Sequence, residues 1–265
     1  MELADRLAVC SWSLQPGDVA ELLGSLDDVG IRRVQLHLDP FAEDGWDADA
    51  LGGIDCVSGM VTCVGEDYST IAAIHRTGGV VPDETWPATR DRMAACAPIA
   101  QKLGIKLVTF HAGFIPDDTG GALFAKLRER IAESADIFTA AGAEIALETG
   151  QESAATLNAF LDALGRDDVG VNFDPANMLL YGSGDPIEAL RALRPRVKQV
   201  HLKDAIASGE PGQWGSEVPV GEGEVDWPAF FAELADYHGP LPIEREAGEK
   251  QVEDIRTAAT FVGNL

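Results

Sequence analysis

Short runs rich in β-branched and apolar residues recur eight times along this chain, and longer segments of helical periodicity separate them. The strand candidates are residues 6–14, 31–38, 54–64, 106–114, 144–150, 169–177, 197–204 and 241–248. Between them, Val19, Leu22, Leu23 and Leu26 line one helical face, and Phe124, Leu127, Ile131, Ala135 and Phe138 line another. Trp227, Phe230, Phe231 and Leu234 form a third face, and Val252, Ile255, Ala259 and Val262 a fourth. Gly30, Gly104, Gly142 and Gly165 each follow such a segment, where a helix end favours glycine. No two-residue Asn-Gly or Asp-Gly turn directly joins neighbouring strand runs, which argues for parallel strands and right-handed crossovers. Eight units over 265 residues average about 33 residues each, the scale of a (β/α)8 barrel at ~250 residues. The expectation is one α/β domain, a single (β/α)8 TIM barrel over residues 1–265. A doubly wound open sheet is the alternative, but its glycine-rich phosphate loop is missing after the first strand, where the chain reads CSWSLQPGD.

Barrel strands alternate side chains between the lumen and the helix layer, and reactive groups gather at the C-terminal strand ends. In the fifth strand, Ile145 and Leu147 are expected to face the helices and Glu148 the lumen. In the sixth, Asn172 and Asp174 point inward; in the seventh, Gln199, His201 and Lys203; in the eighth, Glu244. Parity in four strands therefore selects Glu148, Asp174, His201 and Glu244. Taken singly, each has a plainer explanation. A Glu can pair with Lys203 or Arg245, a His can hydrogen-bond in the core, and Asp174 before Pro175 can open a turn. Taken together, three carboxylates and an imidazole at one barrel level repel one another unless they protonate or share a cation. One divalent ion satisfies all four. The oxygen-rich set with a single imidazole favours Mn²⁺ or Mg²⁺, with Co²⁺ and Zn²⁺ also compatible.

Composition narrows the partners. Asp plus Glu number 44 against 20 Lys plus Arg, a formal charge of -24. Such a surface repels phosphate backbones and anionic lipid, so neither nucleic acid nor a membrane is expected as a partner. The opening MELADRLAVCSWSL has early acids and no long apolar run, unlike a signal peptide. Cys10, Cys56, Cys63 and Cys96 show no C-x-x-C spacing and read as reduced thiols of a cytoplasmic protein.

The stretches IALETG, VNFDPAN, QVHLKDA, GEGEVDWPAFFAEL and PIEREAG resemble the xylose isomerase-like TIM-barrel proteins, the sugar phosphate isomerase/epimerase and AP endonuclease family 2 group, over nearly the whole chain. GEDYSTIAAIHRTGGVVPDETW looks like one bacterial branch of that group. The resemblance implies one divalent metal held by Glu148, Asp174, His201 and Glu244. It also implies proton abstraction next to a carbonyl, with Glu148 and Glu244 flanking a small sugar or sugar-derived substrate as an acid/base pair. A homo-oligomer, dimer or tetramer, is a further implication.

Other residues are expected around the substrate. His111, ending the fourth strand, can meet a hydroxyl, a second ion or a neighbouring carboxylate. Asn177 stands where characterised relatives carry a histidine, which puts a histidine-dependent contact in doubt. Lys203 can hold a substrate oxygen or pair with Asp204 or Glu246. Gln35 and His37 point inward on the second strand, toward substrate or into core hydrogen bonds. His75, Arg76, Gly78 and Gly79 read as a loop offering a cation beside flexible backbone. Residues 205–226 form a connection long enough for a lid, with Trp214 capping a sugar face or making a subunit contact.

Three other activities compete. A lyase or dehydratase on a keto-sugar or keto-polyol begins with the same enolate and differs only in expelling a β-substituent. An AP endonuclease needs a richer histidine set than His37, His75, His111, His201 and His238 and is disfavoured by the charge. A non-catalytic sugar-binding protein can retain the same ligands.

Overall fold

The computed structural model describes residues 3–264. Its strands are β1 (Leu7–Cys10), β2 (Arg33–His37), β3 (Asp55–Met60), β4 (Leu107–Phe110), β5 (Glu144–Glu148), β6 (Val169–Phe173) and β7 (Val197–Val200). A short pair follows, β8 (Asp204–Ile206) and β9 (Ser216–Val218), and then β10 (Leu241–Ile243). Eight of these form one parallel sheet in the order β10-β1-β2-β3-β4-β5-β6-β7. The ring closes where Leu202 N donates to Pro242 O at 2.8 Å and Glu244 N to Leu202 O at 3.1 Å. Helices cover the outside, giving the (β/α)8 barrel that the alternation implies.

The helix layer is apolar. Phe110, Phe124, Phe138, Phe160, Phe173 and Phe230 are fully buried, and Phe124 and Phe160 meet edge to face at 5.4 Å. Burying each such ring contributes roughly 2–3 kcal/mol. The lumen is polar instead. Gln35, Thr109, Asn172 and Gln199 are all sealed from solvent. Gln35 Nε2 donates to Thr109 Oγ1 at 2.8 Å, and Gln199 Nε2 donates to Asn172 Oδ1 at 3.2 Å. These pairings satisfy most polar atoms that would otherwise be costly to bury, leaving Gln199 Oε1 without a partner.

The expected strands are longer than those observed, every one at its C-terminal end and four of them by one or two residues at the start as well. Residues 6–14 split into β1 and a 3-10 turn, Ser11–Leu14, that ends with Gln15 at φ 49°. Residues 169–177 turn into the helix Pro175–Tyr181, because Asp174 caps it and Pro175 is pre-set for a first helical turn. The His75 and Arg76 segment is not a flexible loop. Both lie in the helix Ile71–Thr77, where Arg76 Nη1 donates back to Ala72 O at 2.7 Å. Residues 205–226 contain an antiparallel hairpin, β8 with β9. All four cysteines are free, three of them buried. Among the described residues no helix is long and apolar enough to cross a membrane.

Candidate metal and acid–base site

Strands β5, β6, β7 and β10 open onto the same mouth, and each delivers one ionisable side chain there. Glu148 ends β5, while Asp174, His201 and Glu244 come directly after β6, β7 and β10. All four are buried. One ligand atom from each lies within 4.8 Å of all the others. His201 Nδ1 sits 3.4 Å from Glu244 Oε2 and 3.6 Å from both Glu148 Oε1 and Asp174 Oδ2.

Those separations are too long for hydrogen bonds. His201 Nδ1 and Asp174 Oδ2 are buried polar atoms without a hydrogen-bond partner. Such atoms are rare in folded proteins. Here two of them converge on one point together with two further carboxylates, and that donor set fits a divalent cation. On the far side of the ring, His201 Nε2 lies 2.7 Å from Gln35 Oε1. An Nε2 proton donated to that carbonyl leaves the Nδ1 lone pair facing the carboxylates.

The electrostatics follow from burial and close charges. Burial pushes Glu148 up, but the imidazoles of His111 and His201 outweigh it and hold the carboxyl below its ordinary range. Burial raises Glu244 too, yet the Lys203 ammonium and His201 hold it well below the ordinary value. Asp174 is raised, because burial exceeds the help it receives from His201 and Lys203. Burial opposes charge on His201, but the surrounding acids, Glu148 and Glu244 among them, lift it well above its usual value. Cys10, beside His201, is pushed up to about 12 by burial and stays a neutral thiol, a poor ligand at neutral pH.

Each carboxylate is oriented by donors. Asn177 Nδ2 donates to Glu148 Oε1 at 3.0 Å and Asn172 Nδ2 to Glu148 Oε2 at 3.3 Å. Trp12 Nε1 donates to Glu244 Oε1 at 2.7 Å, and Lys203 Nζ to Glu244 Oε2 at 2.9 Å. Lys203 also reaches Glu246 Oε2 at 2.7 Å and faces Glu217 at 3.9 Å.

The remaining sequence candidates fall into three groups. His111 is at the site, with Nε2 3.8 Å from Glu148 Oε1. Gln35 is a core partner of His201, whereas His37 stands at the rim with Nε2 3.2 Å from Asp39 Oδ2. Asp204 is not the partner of Lys203. Its carboxylate accepts from the backbone of Ala205, Gly221, Gly223 and Val225 and from Trp227 Nε1, fastening the 205–226 segment to the barrel. A Cβ on Gly223 would stand 2.1 Å from Asp204 Oδ1, so only glycine allows this closure. Strand parity did not single out Trp12 or Glu217: residues 6–14 read as one strand, whereas Trp12 sits in the turn after β1, and Glu217 lies outside the eight barrel strands. The one available signal for Trp12 was a tryptophan in the exit turn of the first strand.

The family model for xylose isomerase-like TIM barrels matches residues 14–263. This chain belongs to that family. A crystal structure of a xylose isomerase domain protein from Planctomyces limnophilus is 32% identical, covers 98% of this chain and 96% of its own, and superposes with a TM-score of 0.86. Two less similar structures share the fold. The D-allulose 3-epimerase from Methylomonas sp. in complex with D-allulose has 15% identity, coverage of 98% and 96%, and a TM-score of 0.72. An IOLI protein with a bound zinc atom has 14% identity, coverage of 98% of both chains, and a TM-score of 0.73. The uncharacterized protein YihM of Escherichia coli K12 is 38% identical over 63 residues, which is 23% of this chain and only 19% of that protein.

Proposed function

We propose that the protein is a divalent-metal-dependent sugar isomerase or epimerase that abstracts a proton next to a carbonyl and passes through an enediolate. The observation that carries this reading is the convergence of Glu148, Asp174, Glu244 and the unpaired His201 Nδ1 at one barrel mouth. Membership of the xylose isomerase-like family supports it, as does the fold shared with the D-allulose 3-epimerase. When bound, the ion supplies Lewis-acid stabilisation of the negative charge that develops on the substrate oxygens.

Within this reading Glu148 and Glu244 exchange protons with the substrate carbon, and both are held ionised by neighbouring positive charge. Asn172 and Asn177 fix the Glu148 carboxylate; Trp12 and Lys203 fix that of Glu244. Such fixed orientation lowers the reorganisation that proton transfer requires. Asp174 and His201 serve as ligands alone. We assign Mn²⁺ as the working ion, with Mg²⁺, Co²⁺ and Zn²⁺ as comparison arms in reconstitution. The substrate is a small carbohydrate.

The test is solvent deuterium incorporation into a panel of ketoses with Mn²⁺ present. Exchange is expected in the parent protein and in Asp49→Asn, a surface change, and is expected to vanish in Glu148→Gln and Glu244→Gln. No exchange across the panel would sink the proposal. Lys203 favours a second reading, elimination from a keto-sugar, because its buried ammonium, 2.9 Å from Glu244, places a proton donor beside the proposed acid–base pair. Product mass separates the two: isomerisation conserves it and dehydration does not.

A further inference from the structure

A file of aromatic rings runs away from the acidic cluster along one side of the barrel mouth. Tyr181, the last residue of the helix Pro175–Tyr181, packs over Gly150, two residues beyond Glu148; a Cβ there would stand 3.1 Å from Tyr181 Cδ2. Its ring meets Trp214 at 4.6 Å on one side and Phe114 at 5.9 Å on the other. Phe114 in turn meets His75 at 4.4 Å. Tyr68 stands opposite, its ring 6.1 Å from His111, and is one of only three large apolar residues left exposed among those described.

This wall is built into the barrel. The hairpin that carries Trp214 is bonded to the neighbouring helix through Gly215 N to Leu180 O at 3.1 Å, and it approaches so closely that a Cβ on Gly215 would stand 3.1 Å from Leu180 Cα. Glu217 on β9 ties it to β10 by accepting from Arg245 Nη1 at 2.7 Å and from Glu246 N at 2.9 Å. Within the wall the indole Nε1 of Trp214 is buried and has no hydrogen-bond partner. A buried donor left open beside ring faces suits a ligand that is apolar on one face and carries oxygens at its edge.

Charge rules on the ligand. Among the described residues, the cations near this end of the barrel are committed: Lys203 to Glu244 and Glu246, Arg245 to Glu217 and Asp254, Lys250 to Glu253, Arg130 to Asp83 and Arg92 to Asp39 and Glu43. Arg76 is turned back onto its own helix. Away from the proposed ion, along the wall itself, a phosphate or carboxylate would find no uncommitted side-chain cation among those named and would lose its hydration at a cost. A pyranose ring is uncharged, with one C–H face to stack and hydroxyls at its edge.

We propose that the wall formed by Tyr181, Trp214 and Phe114 is a second carbohydrate subsite, and that the substrate is an uncharged glycoside whose second ring stacks there. This rests on the isomerase or epimerase reading only for the ring that enters the acidic cluster.

Equilibrium binding tests it without turnover. Calorimetric titrations of the Mn²⁺-loaded protein would use sucrose, lactose and trehalose, then sucrose 6-phosphate and trehalose 6-phosphate, and the free ketoses D-fructose and D-allulose. At least one neutral disaccharide is expected to bind tenfold or more tightly than either free ketose and than its own phosphate. Trp214→Ala should remove that preference while leaving ketose and Mn²⁺ binding within twofold. Trp214→Phe, which keeps a ring and loses the N–H, should retain an intermediate share and guards against misfolding in the smaller variant. Equal binding of ketoses and disaccharides, tighter binding of a phosphate, or an unchanged preference in Trp214→Ala overturns the subsite. Failure of deuterium exchange with this preference intact would instead overturn the reaction and leave the subsite standing.

Discussion

Trp12 Nε1 donates to Glu244 Oε1 at 2.7 Å, so the exit turn of the first strand fixes the carboxylate that follows the last. The same ring lies 6.2 Å from His201 and 6.5 Å from His37, filling the space between β1, β2 and β7. A hydrogen bond to a charged acceptor is worth roughly 1.5–3 kcal/mol. Trp12→Phe keeps most of the ring and removes the donor. The expected result is a kcat lowered by about 10- to 100-fold, with Mn²⁺ affinity nearly unchanged because Oε2 is the oxygen that faces His201. Steady-state kinetics on any substrate found by deuterium exchange, paired with Mn²⁺ calorimetry, would check this; equal losses in both would show that Trp12 supports the ligand set as a whole.

Lys203 is buried between Glu244 and Glu246 and is lifted well above its ordinary value, because those carboxylates outweigh the burial that opposes its charge. Removing one partner of a buried ion pair leaves the other uncompensated and costs about 3–5 kcal/mol. Lys203→Met is therefore expected to lose about 3 kcal/mol of stability in urea unfolding without metal. Saturating Mn²⁺ should recover part of the loss, since an ion bound only by the folded state stabilises it by mass action. A variant as stable as the parent with chelator present would contradict the assignment of Lys203 as the counter-charge.

Much of the fold was legible because parallel barrels impose two strong periodicities at once. Strand parity alone placed Glu148, Asn172, Gln199 and Glu244 in the lumen, where the structure has them. Strand ends were not legible. A run such as VGVNFDPAN stays apolar and β-branched up to the point where Asp174 and Pro175 start a helix, and nothing in the pattern marks the change. Contacts made across the barrel by residues off the strands were also hidden. Trp12 on Glu244 and Glu217 on Arg245 join positions more than two hundred and about thirty residues apart, respectively, and are fixed by loop closure instead of periodicity. The partner of Lys203 was legible only as a choice: Glu246 does meet it, while Asp204 is drawn away by four backbone donors of its own loop and by Trp227.

The outer surface carries a separable acid-sensitive contact. Asp168 accepts from Arg166 Nε at 2.9 Å and Nη2 at 2.7 Å, and from Thr139 Oγ1 at 2.9 Å. The Arg166 hydrogen bonds hold its carboxyl down at about 2. A carboxyl depressed in the folded state adds stability above its unfolded value and loses it as pH falls through the folded one. The contribution should therefore be complete above roughly pH 5 and fade between about pH 4 and 2. Because the pair is partly exposed, solvent screening limits it to about 1 kcal/mol. Arg166→Met is expected to remove that amount at pH 7 and almost none at pH 2, as read from urea unfolding at the two values. A loss independent of pH would assign the effect to packing of the Arg166 side chain.

The tautomer of His201 is set from across the barrel. Gln35, on β2, directs its amide nitrogen to Thr109 Oγ1, which leaves Oε1 to accept from His201 Nε2 at 2.7 Å. Gln35→Leu preserves approximate volume and takes away that acceptor. Once His201 gives up one of its two protons, nothing then holds the other on Nε2, and molecules that keep it on Nδ1, the atom facing Glu148, Asp174 and Glu244, must shift it to an unpartnered Nε2 before a cation binds. Loss of a hydrogen-bond partner behind a metal-ligating histidine typically costs 10- to 100-fold in affinity, so Mn²⁺ should bind about 10- to 100-fold more weakly by calorimetry. Moving a proton between the two ring nitrogens releases none, so the deficit should change little with pH. Gln35→Glu supplies an acceptor at the same place and is expected to bind Mn²⁺ more tightly than Gln35→Leu. If both variants bound the ion as the parent does, Gln35 would be a lumen filler, and the orientation of His201 would rest on Asn172 and the barrel backbone.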